Sequence, residues 1–437
     1  MRRAFDLPLG KLASLFLIWV TLTLNFQTNL LGIAQDEIFT SWQLNGQSRV
    51  LGRIIAERDG LDLQGAGLAY VYHPDRLKTP EPDSIPDQIK MQETYRLYEQ
   101  GVTDPTAIIV EPYRAQYGLH ASLMALFGKN ASLEALQLVT AGLTALALVL
   151  LTQAYMRAFD RRFAILFLLC PAIAPYFLTM ARNLYWSPYL LLLPALLAAW
   201  FYHDRAARQR QWMWLALIAA AVFLKSASNY EYLTTVTLLA CAVFIIAPTF
   251  RGERPDLGTA ARIFVACVVG FIAALLLHAG ARGDTLIEGL QSIWIEDIAR
   301  RTYGDPALQV QTEARASLEA STFDVLRIYL YEAYPGRRTM IMPGKIFLAL
   351  IALSLVGIAL KGILRHPHFQ RDLVTFGMFF AVPVSWFVFA KGHAYTQTHI
   401  NFVLWYLGFM PALLYVSWST LTAAPAMLRR VLWRIQT

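Results

Sequence analysis

The chain has 437 residues, of which 56% are hydrophobic and 16% are charged. This proportion is far too apolar for an ordinary soluble protein and predicts one all-α, polytopic membrane protein. The net charge of +8 does not indicate a nucleic-acid partner, because the cations form small clusters between apolar segments rather than one patch.

The first apolar segment, residues 12–33, is long enough to span a bilayer and is followed by the acidic pair Asp36–Glu37. Ionisable groups near a span are costly unless they serve a site, so the pair indicates chemistry at a membrane face. A helix-end pair that only caps or solvates the boundary is the simpler alternative. Cleavage of the segment as a signal peptide is a further alternative, but its length favours an uncleaved anchor.

The region after this span, residues 34–130, is predicted to be a large outer segment. Val50, Leu51, Ile54 and Ile55 recur at helical spacing, which predicts a short amphipathic helix lying on the membrane. Residues 119–127 are apolar but too few to span, so we interpret them as an interfacial or re-entrant helix.

Apolar segments of spanning length recur along the rest of the chain and bring the predicted total to about ten spans. These are residues 12–33, 136–156, 163–180, 185–201, 212–224, 233–249, 263–278, 346–360, 373–390 and 400–421.

Basic clusters occupy every second hydrophilic segment, which is the positive-inside pattern. The clusters are Arg2, Arg3 and Lys11; Arg157, Arg161 and Arg162; Arg205, Arg208 and Arg210; Arg251, Arg254 and Arg262; Lys361, Arg365 and Arg371; and Arg429, Arg430 and Arg434. Both termini are then cytoplasmic, and residues 34–130 and 281–343 are outside. We expect a single domain, 1–437, in a bacterial inner membrane, with its site on the periplasmic face.

Three short outer turns each carry a single cation, although the positive-inside rule disfavours cations on the outer side. These cations are Arg182, Lys225 and Lys391. Residues 211–225 give roughly 21 Å of helix at 1.5 Å per residue, so Lys225 is predicted to lie below the outer edge of a core of about 30 Å. An ammonium there needs a partner, either an anionic ligand or Glu231, unless it snorkels upward.

The turns around these lysines concentrate polar groups. Tyr230 and Glu231 follow Lys225, and they are candidate substrate-binding residues. If residues 391–399 are helical, Lys391, Tyr395 and His399 share one face. Such donors suit a phosphate, whereas an aromatic belt with incidental polar neighbours is the alternative.

Metal and redox chemistry have little signal in the sequence. The three cysteines lie inside apolar segments without CxxC spacing, and no His, Cys and Asp cluster has the spacing of a metal site. No cofactor is predicted, and the sequence leaves open whether a divalent cation assists.

The acidic pair after the first span, the large outer segment and Glu111-Pro-Tyr-Arg-Ala-Gln-Tyr-Gly-Leu-His120 resemble the GT-C superfamily of integral membrane glycosyltransferases. That superfamily includes protein O-mannosyltransferases and aminoarabinose transferases, and the resemblance is best in the N-terminal third. It implies transfer of a sugar from a polyprenyl-phosphate carrier to a glycan, lipid or protein acceptor, with Asp36 as catalytic carboxylate.

Inverting displacement at an anomeric carbon requires a carboxylate that deprotonates the acceptor hydroxyl. Asp36 is the predicted general base, with Glu37 beside it. The departing phosphate requires positive charge, for which the candidates are Arg53, Lys225, Lys391 and His393.

Two other functions remain alternatives. An oligosaccharide polymerase or ligase would use a pyrophosphate-linked glycan, but its long outer loop usually falls late in the chain, whereas here the early segment is the larger. A flippase or transporter usually shows repeats and polar groups at mid-membrane, whereas the candidates here gather on one rim.

Overall fold

The computed structural model describes residues 9–63, 67–74, 86–102, 104–204, 206–308, 312–331 and 341–436. The predicted cytoplasmic Arg2, Arg3 and Arg205 lie outside the described residues, as do parts of both predicted outer segments. Within the described ranges the chain is almost entirely helical, as predicted.

Helix α1 (Leu9–Thr28) ends earlier than the predicted span of 12–33. The reason is local, because asparagine side chains replace the helical hydrogen bonds there. Asn25 Oδ1 accepts from the backbone N–H of Leu31, and Asn29, at a φ of 54°, bonds both backbone groups of Ala34. The chain therefore turns and enters α2 (Asp36–Ser41).

The amphipathic helix predicted around Val50 is part of α3 (Leu44–Asp59). Its apolar side chains are fully buried inside the protein, so the prediction that this helix lies on the membrane is wrong. The face packs against the strand β1 (Ala69–Tyr72), which approaches so closely that a Cβ on Gly52 would lie 1.9 Å from the Ala69 carbonyl oxygen.

Strand β1 pairs antiparallel with β2 (Ile109–Pro112), with Ala69 opposite Pro112. Helix α4 (Asp87–Gln100) packs on β1 and α3. Helix α5 (Leu119–Gly128) is the predicted short apolar helix, and its Phe127 is almost fully exposed.

The remaining helices form the bundle and its outer turns. They are α6 (Leu133–Ala158), α7 (Arg161–Ala172), α8 (Pro175–Arg182), α9 (Pro188–His203), α10 (Ala207–Ser228), α11 (Leu233–Ile246), α12 (Leu257–Arg282), α13 (Leu286–Ile293), α14 (Thr312–Glu319), α15 (Thr322–Leu330), α16 (Gly344–Ile363), α17 (Phe369–Phe389), α18 (Lys391–Thr396), α19 (Thr398–Asn401) and α20 (Phe409–Gln436).

Among the described residues, six helices are long and apolar enough to cross a membrane: α6, α10, α11, α12, α16 and α17. Two bent pairs, α7 with α8 at 74° and residues 398–406 with α20 at 46°, raise the number to eight. These eight coincide with predicted spans, whereas α1 and the 16-residue α9 are not among them, so the count of ten is not confirmed. The architecture is that of a helical membrane protein.

The predicted outer turns meet the first segment at one end of the bundle. Arg182, at the end of α8, donates to the carbonyl oxygens of Gln27 and Phe39 at 3.2 and 2.9 Å. Trp186 stacks on Tyr232 with ring centres 5.4 Å apart, and the Tyr232 hydroxyl donates to the carbonyl of Ile400 at 3.2 Å. Residues far apart in sequence therefore share one surface.

Candidate functional site

The acidic pair lies in the first turn of α2, with both side chains exposed. Glu37 lines a cavity of about 230 Å³, which we call the α2 cavity, whereas Asp36 is not among its lining residues. Its walls come from α2, the turn after it and α19: Gln35, Glu37, Ile38, Ser41, Trp42, Gln43 and His399.

His399 reaches this cavity from α19 and contacts Gln43, the residue before α3. Gln43 Nε2 and His399 Nε2 are 3.1 Å apart. This contact joins the turn before α3 to α19, and which group donates depends on the imidazole tautomer. Gln43 has a φ of 55°, a left-handed conformation that non-glycine residues adopt at a cost, often at functional sites.

Lys225 is buried at the end of α10, where its ammonium is satisfied locally. It donates to the Asn229 carbonyl at 2.7 Å, to Asn229 Oδ1 at 2.5 Å and to the Glu231 carbonyl. The last carbonyls of a helix lack helical partners, so this lysine stabilises the turn from α10 into α11.

Glu231 follows in the same turn and is 5% exposed. Its Oε1 accepts from Gln116 Nε2 at 3.1 Å and from the Tyr185 hydroxyl at 3.4 Å. Its Oε2 is buried and has no hydrogen-bond partner among the residues that the structure describes. Tyr230, one residue earlier, is tied to His278 Nδ1 through its hydroxyl at 2.8 Å.

Glu231 and Tyr230 line a second cavity, of about 190 Å³, which we call the α12 cavity. Most of its walls are apolar. It is lined by Tyr230, Glu231, Leu233, Thr234, Phe271, Leu275, Asp297, Ile298, Arg301, Thr302, Trp386, Phe389, Ala390 and His393.

A π-helical turn, Trp294–Ala299, supplies one charged residue of the α12 cavity, Asp297, and Arg301 follows two residues after the turn. Such turns are often found at functional sites. Here the turn carries Asp297 inward, where it is bonded by Arg282 and lies 3.7 Å from Arg301. Burial lowers the pKa of the Arg301 guanidinium, but Tyr113, Glu231 and Asp297 together raise it above its ordinary value.

His393 also reaches the α12 cavity, whereas Lys391 does not line it. Lys391 donates to the carbonyls of Leu318 and Ala320, at 2.7 and 2.6 Å, at the C-terminal end of α14. Burial lowers the pKa of the Lys391 ammonium. Burial, helped by the nearby charges of Arg301 and Arg300, lowers the pKa of His393 to about 3.

The remaining residues predicted to bind the phosphate or the substrate, Arg53 and Tyr395, line neither cavity. Arg53 pairs with Glu57 on the same face of α3, at 3.2 Å. Tyr395 packs against the hydrophobic core and lines neither cavity. Lys391, Tyr395 and His399 do not share one helical face as predicted, because the helix is interrupted at Gln397, between α18 and α19.

Sequence reasoning missed Gln43, Gln116, Asp297 and Arg301. A signal existed for the last two, since an acid precedes Arg301 by four residues and two adjacent arginines occur in a predicted outer segment. Nothing in the sequence distinguishes the two glutamines from other polar residues. Among the described residues, no group of three or more His, Cys, Asp or Glu could hold a metal ion.

No protein-family model matches the chain, and comparisons with curated proteins and with solved structures found no match either.

Proposed function

We propose that this chain is an integral membrane glycosyltransferase of the bacterial inner membrane. It transfers a sugar from a polyprenyl-phosphate carrier to an acceptor at the outer face. The observation that carries the proposal is the α2 cavity, which Glu37 from the first segment and His399 from the last turn both line. A carboxylate and an imidazole in one polar cavity are suited to base-assisted displacement.

The acidic pair supplies the base that removes the proton of the acceptor hydroxyl. Glu37 is favoured because it lines the cavity, and Asp36 lies beside it in the same exposed turn. An acceptor that enters from the aqueous side can reach either side chain.

We assign the role of stabilising the departing phosphate to His399 rather than to Lys225 or Lys391. Lys225 and Lys391 already donate to backbone carbonyls, so each would have to give up bonds to reach a ligand. His399 lines the α2 cavity, and an imidazole N–H that donates to a developing phosphate charge would stabilise the transition state.

The size of the α2 cavity favours a single sugar over an oligosaccharide. Its volume of about 230 Å³ corresponds to about eight water molecules at about 30 Å³ each. That space suits one pyranose ring with little room beyond it, which supports a monosaccharide donor over the polymerase or ligase alternative.

The test uses the full-length protein in proteoliposomes with radiolabelled polyprenyl-phosphate sugars and a panel of glycan, lipid and peptide acceptors. Glu37→Gln should lower transfer about 100-fold or more, since general bases contribute about 10²–10⁴-fold. Glu99→Gln, an exposed acid of the same segment, is the matched control and should retain full activity.

Asp36→Asn in the same assay separates the two carboxylates. If both Asp36→Asn and Glu37→Gln transfer at the wild-type rate, the acidic pair is not the base and the proposal fails. A pyrophosphate carrier that outperforms the monophosphate would favour a polymerase or ligase instead. Rapid lipid scrambling without transfer would favour a flippase.

A further inference from the structure

The walls of the α12 cavity reach an exposed apolar surface of the bundle. Phe271 and Leu275 on α12 are half-buried, and Phe389 at the end of α17 is 62% exposed. Exposed apolar side chains continue along α12 at Val268 and Ile272. Because α12 and α17 are both long and apolar enough to span a membrane, the exposed apolar side chains beside this opening are suited to contact with hydrocarbon.

The charged residues of the cavity wall are Glu231, Asp297 and Arg301, and the guanidinium groups of Arg282 and Arg300 also lie near Asp297. Glu231 contributes the buried Oε2 that has no partner among the described residues. Arg301 lies 3.7 Å from Asp297, beyond hydrogen-bond distance, and Asp297 is already bonded by Arg282. An unpaired carboxylate oxygen in such a place needs a hydrogen-bond donor.

The occupant must therefore have an apolar chain and a small neutral head. A phosphate head carries no donor for Glu231 in its fully ionised form and adds negative charge beside it. An ammonium head would lie beside the guanidinium of Arg301. A hydroxyl both donates and accepts, so it can serve Glu231 and Arg301 at once.

We infer that the α12 cavity binds a neutral lipid alcohol. The hydroxyl donates to Glu231 Oε2 and accepts from Arg301, and the chain leaves past Phe389 into the bilayer. The volume of about 190 Å³ slightly exceeds the roughly 150 Å³ of an apolar cavity that holds benzene. The cavity therefore takes the head and first few carbons, and the rest of the chain lies in the membrane.

The experiment uses the full-length protein in nanodiscs and a twelve-carbon primary alcohol with a diazirine near its hydroxyl end. Labelled peptides are mapped by mass spectrometry, with an alkyl monophosphate and an alkylammonium of the same length as competitors. Leu275→Trp fills the cavity. Leu276→Trp, at the exposed neighbouring position, is its matched control.

We expect labels on residues of α12 and α17, reduced at least tenfold by Leu275→Trp and less than twofold by Leu276→Trp. Glu231→Gln removes the charged acceptor and should lower labelling three- to tenfold. Equal labelling in the Leu275→Trp variant, or stronger competition by the phosphate or the ammonium than by unlabelled alcohol, would overturn the inference.

This site goes beyond the proposed transfer reaction and does not depend on it. The assay measures occupancy without a sugar donor, so loss of transfer in the Glu37→Gln variant leaves its result unchanged. Conversely, an α12 cavity that does not bind the alcohol leaves the roles of Glu37 and His399 as proposed.

Discussion

His393 is a buried imidazole whose surroundings favour the neutral form. Its Nδ1 lies 3.5 Å from the amide Nδ2 of Asn401, which can only donate, and its ring packs edge-on against Trp386. Burial, then the charges of Arg301 and Arg300, lowers its pKa to about 3. A residue held neutral in this way makes the stability of the fold depend on pH.

The unfolded chain binds a proton at His393 near pH 6.5, whereas the folded chain resists it down to about pH 3. This contribution to stability is therefore complete above pH 6.5 and is lost as the pH falls toward 3, at up to about 1.4 kcal/mol per pH unit. Thermal unfolding in detergent at pH 7.5 and pH 5 measures it.

His393→Asn should reduce the acid-induced fall in melting temperature, because its side chain does not titrate. His368→Asn, at an exposed histidine, is the control and should leave most of the fall in place. An unchanged pH dependence in His393→Asn would mean that this imidazole titrates normally in the folded protein.

Lys225 and Lys391 illustrate what single residues in a sequence can reveal. The depth of Lys225 was readable from the length of its span, and both lysines are buried. Their partners were not readable, because apart from Asn229 Oδ1 the acceptors are backbone carbonyls near helix ends, which carry no side-chain signature. For Lys391 the acceptors belong to a segment about 70 residues away.

At the scale of helices, the end of the bundle opposite the cavities is joined by a buried ionic cluster. Lys361 on α16 and Asp372 on α17 are both 0% exposed and lie 2.5 Å apart. Ser419 on α20 donates to Asp372 at 2.6 Å, and Arg371 donates at 2.9 Å. Every partner of this pair comes from one of three helices, so the cluster fixes how they meet.

Asp372→Asn should destabilise the protein by about 3–5 kcal/mol, because it leaves the Lys361 ammonium buried without its counter-charge. Denaturant titration of the protein in detergent, followed by tryptophan fluorescence, measures the change. Glu253→Gln, which breaks the exposed pair with Arg251, is the control and should change little.

Replacing both partners tests the reason for the loss. Lys361→Met combined with Asp372→Leu removes both charges and should recover most of the stability that Asp372→Asn loses. If the double variant is as unstable as Asp372→Asn, the loss does not come from an unpaired buried charge, and the packing of these side chains holds the helices together.

Helix boundaries were predicted less well than helix positions. The end of α1 is set by Asn25 and Asn29, and these contacts become visible only when the chain folds back. The break at Gln397 between α18 and α19 has no proline or glycine to announce it. Apolar periodicity locates the centre of a helix, whereas side-chain contacts with the backbone decide where it stops.

For the whole molecule, both cavities lie at the same end of the bundle, where the turns after α8, α10 and α17 meet the first segment. The aromatic side chains between them are in contact, since Trp42 of the α2 cavity packs on Trp186, and Tyr232 packs on Trp386 of the α12 cavity. A shared end requires both regions to face the same side of a membrane.

Single cysteines introduced at Asp36 and Asp284, both exposed, should react with a membrane-impermeant maleimide added outside intact cells. A cysteine at Glu253 should react only after permeabilisation, because it lies in a predicted cytoplasmic loop. The native cysteines at 170, 241 and 267 are buried, so background labelling of these thiols by the maleimide should be low. Residues 36 and 284 labelled from opposite sides would contradict the shared end.

The helical membrane architecture and the positions of the six to eight helices or helix pairs that are long and apolar enough to span were predictable from the sequence, because hydrocarbon requires long apolar helices. The acidic pair was also predictable as a candidate, and the sharing of one cavity by Glu37 and His399 was not. Their approach depends on the left-handed Gln43 and on the break at Gln397, and no local pattern encodes either.

The contact of Gly392 with the second outer segment has a mechanical consequence. A Cβ at this position would lie 2.8 Å from the Arg300 carbonyl oxygen, so two main chains touch with no flexible side chain between them. No side chain in this contact can change rotamer to absorb a displacement, so a shift of the π-helical turn would be transmitted directly to the backbone of α18. Replacement of Gly392 by alanine would therefore force the two backbone segments apart.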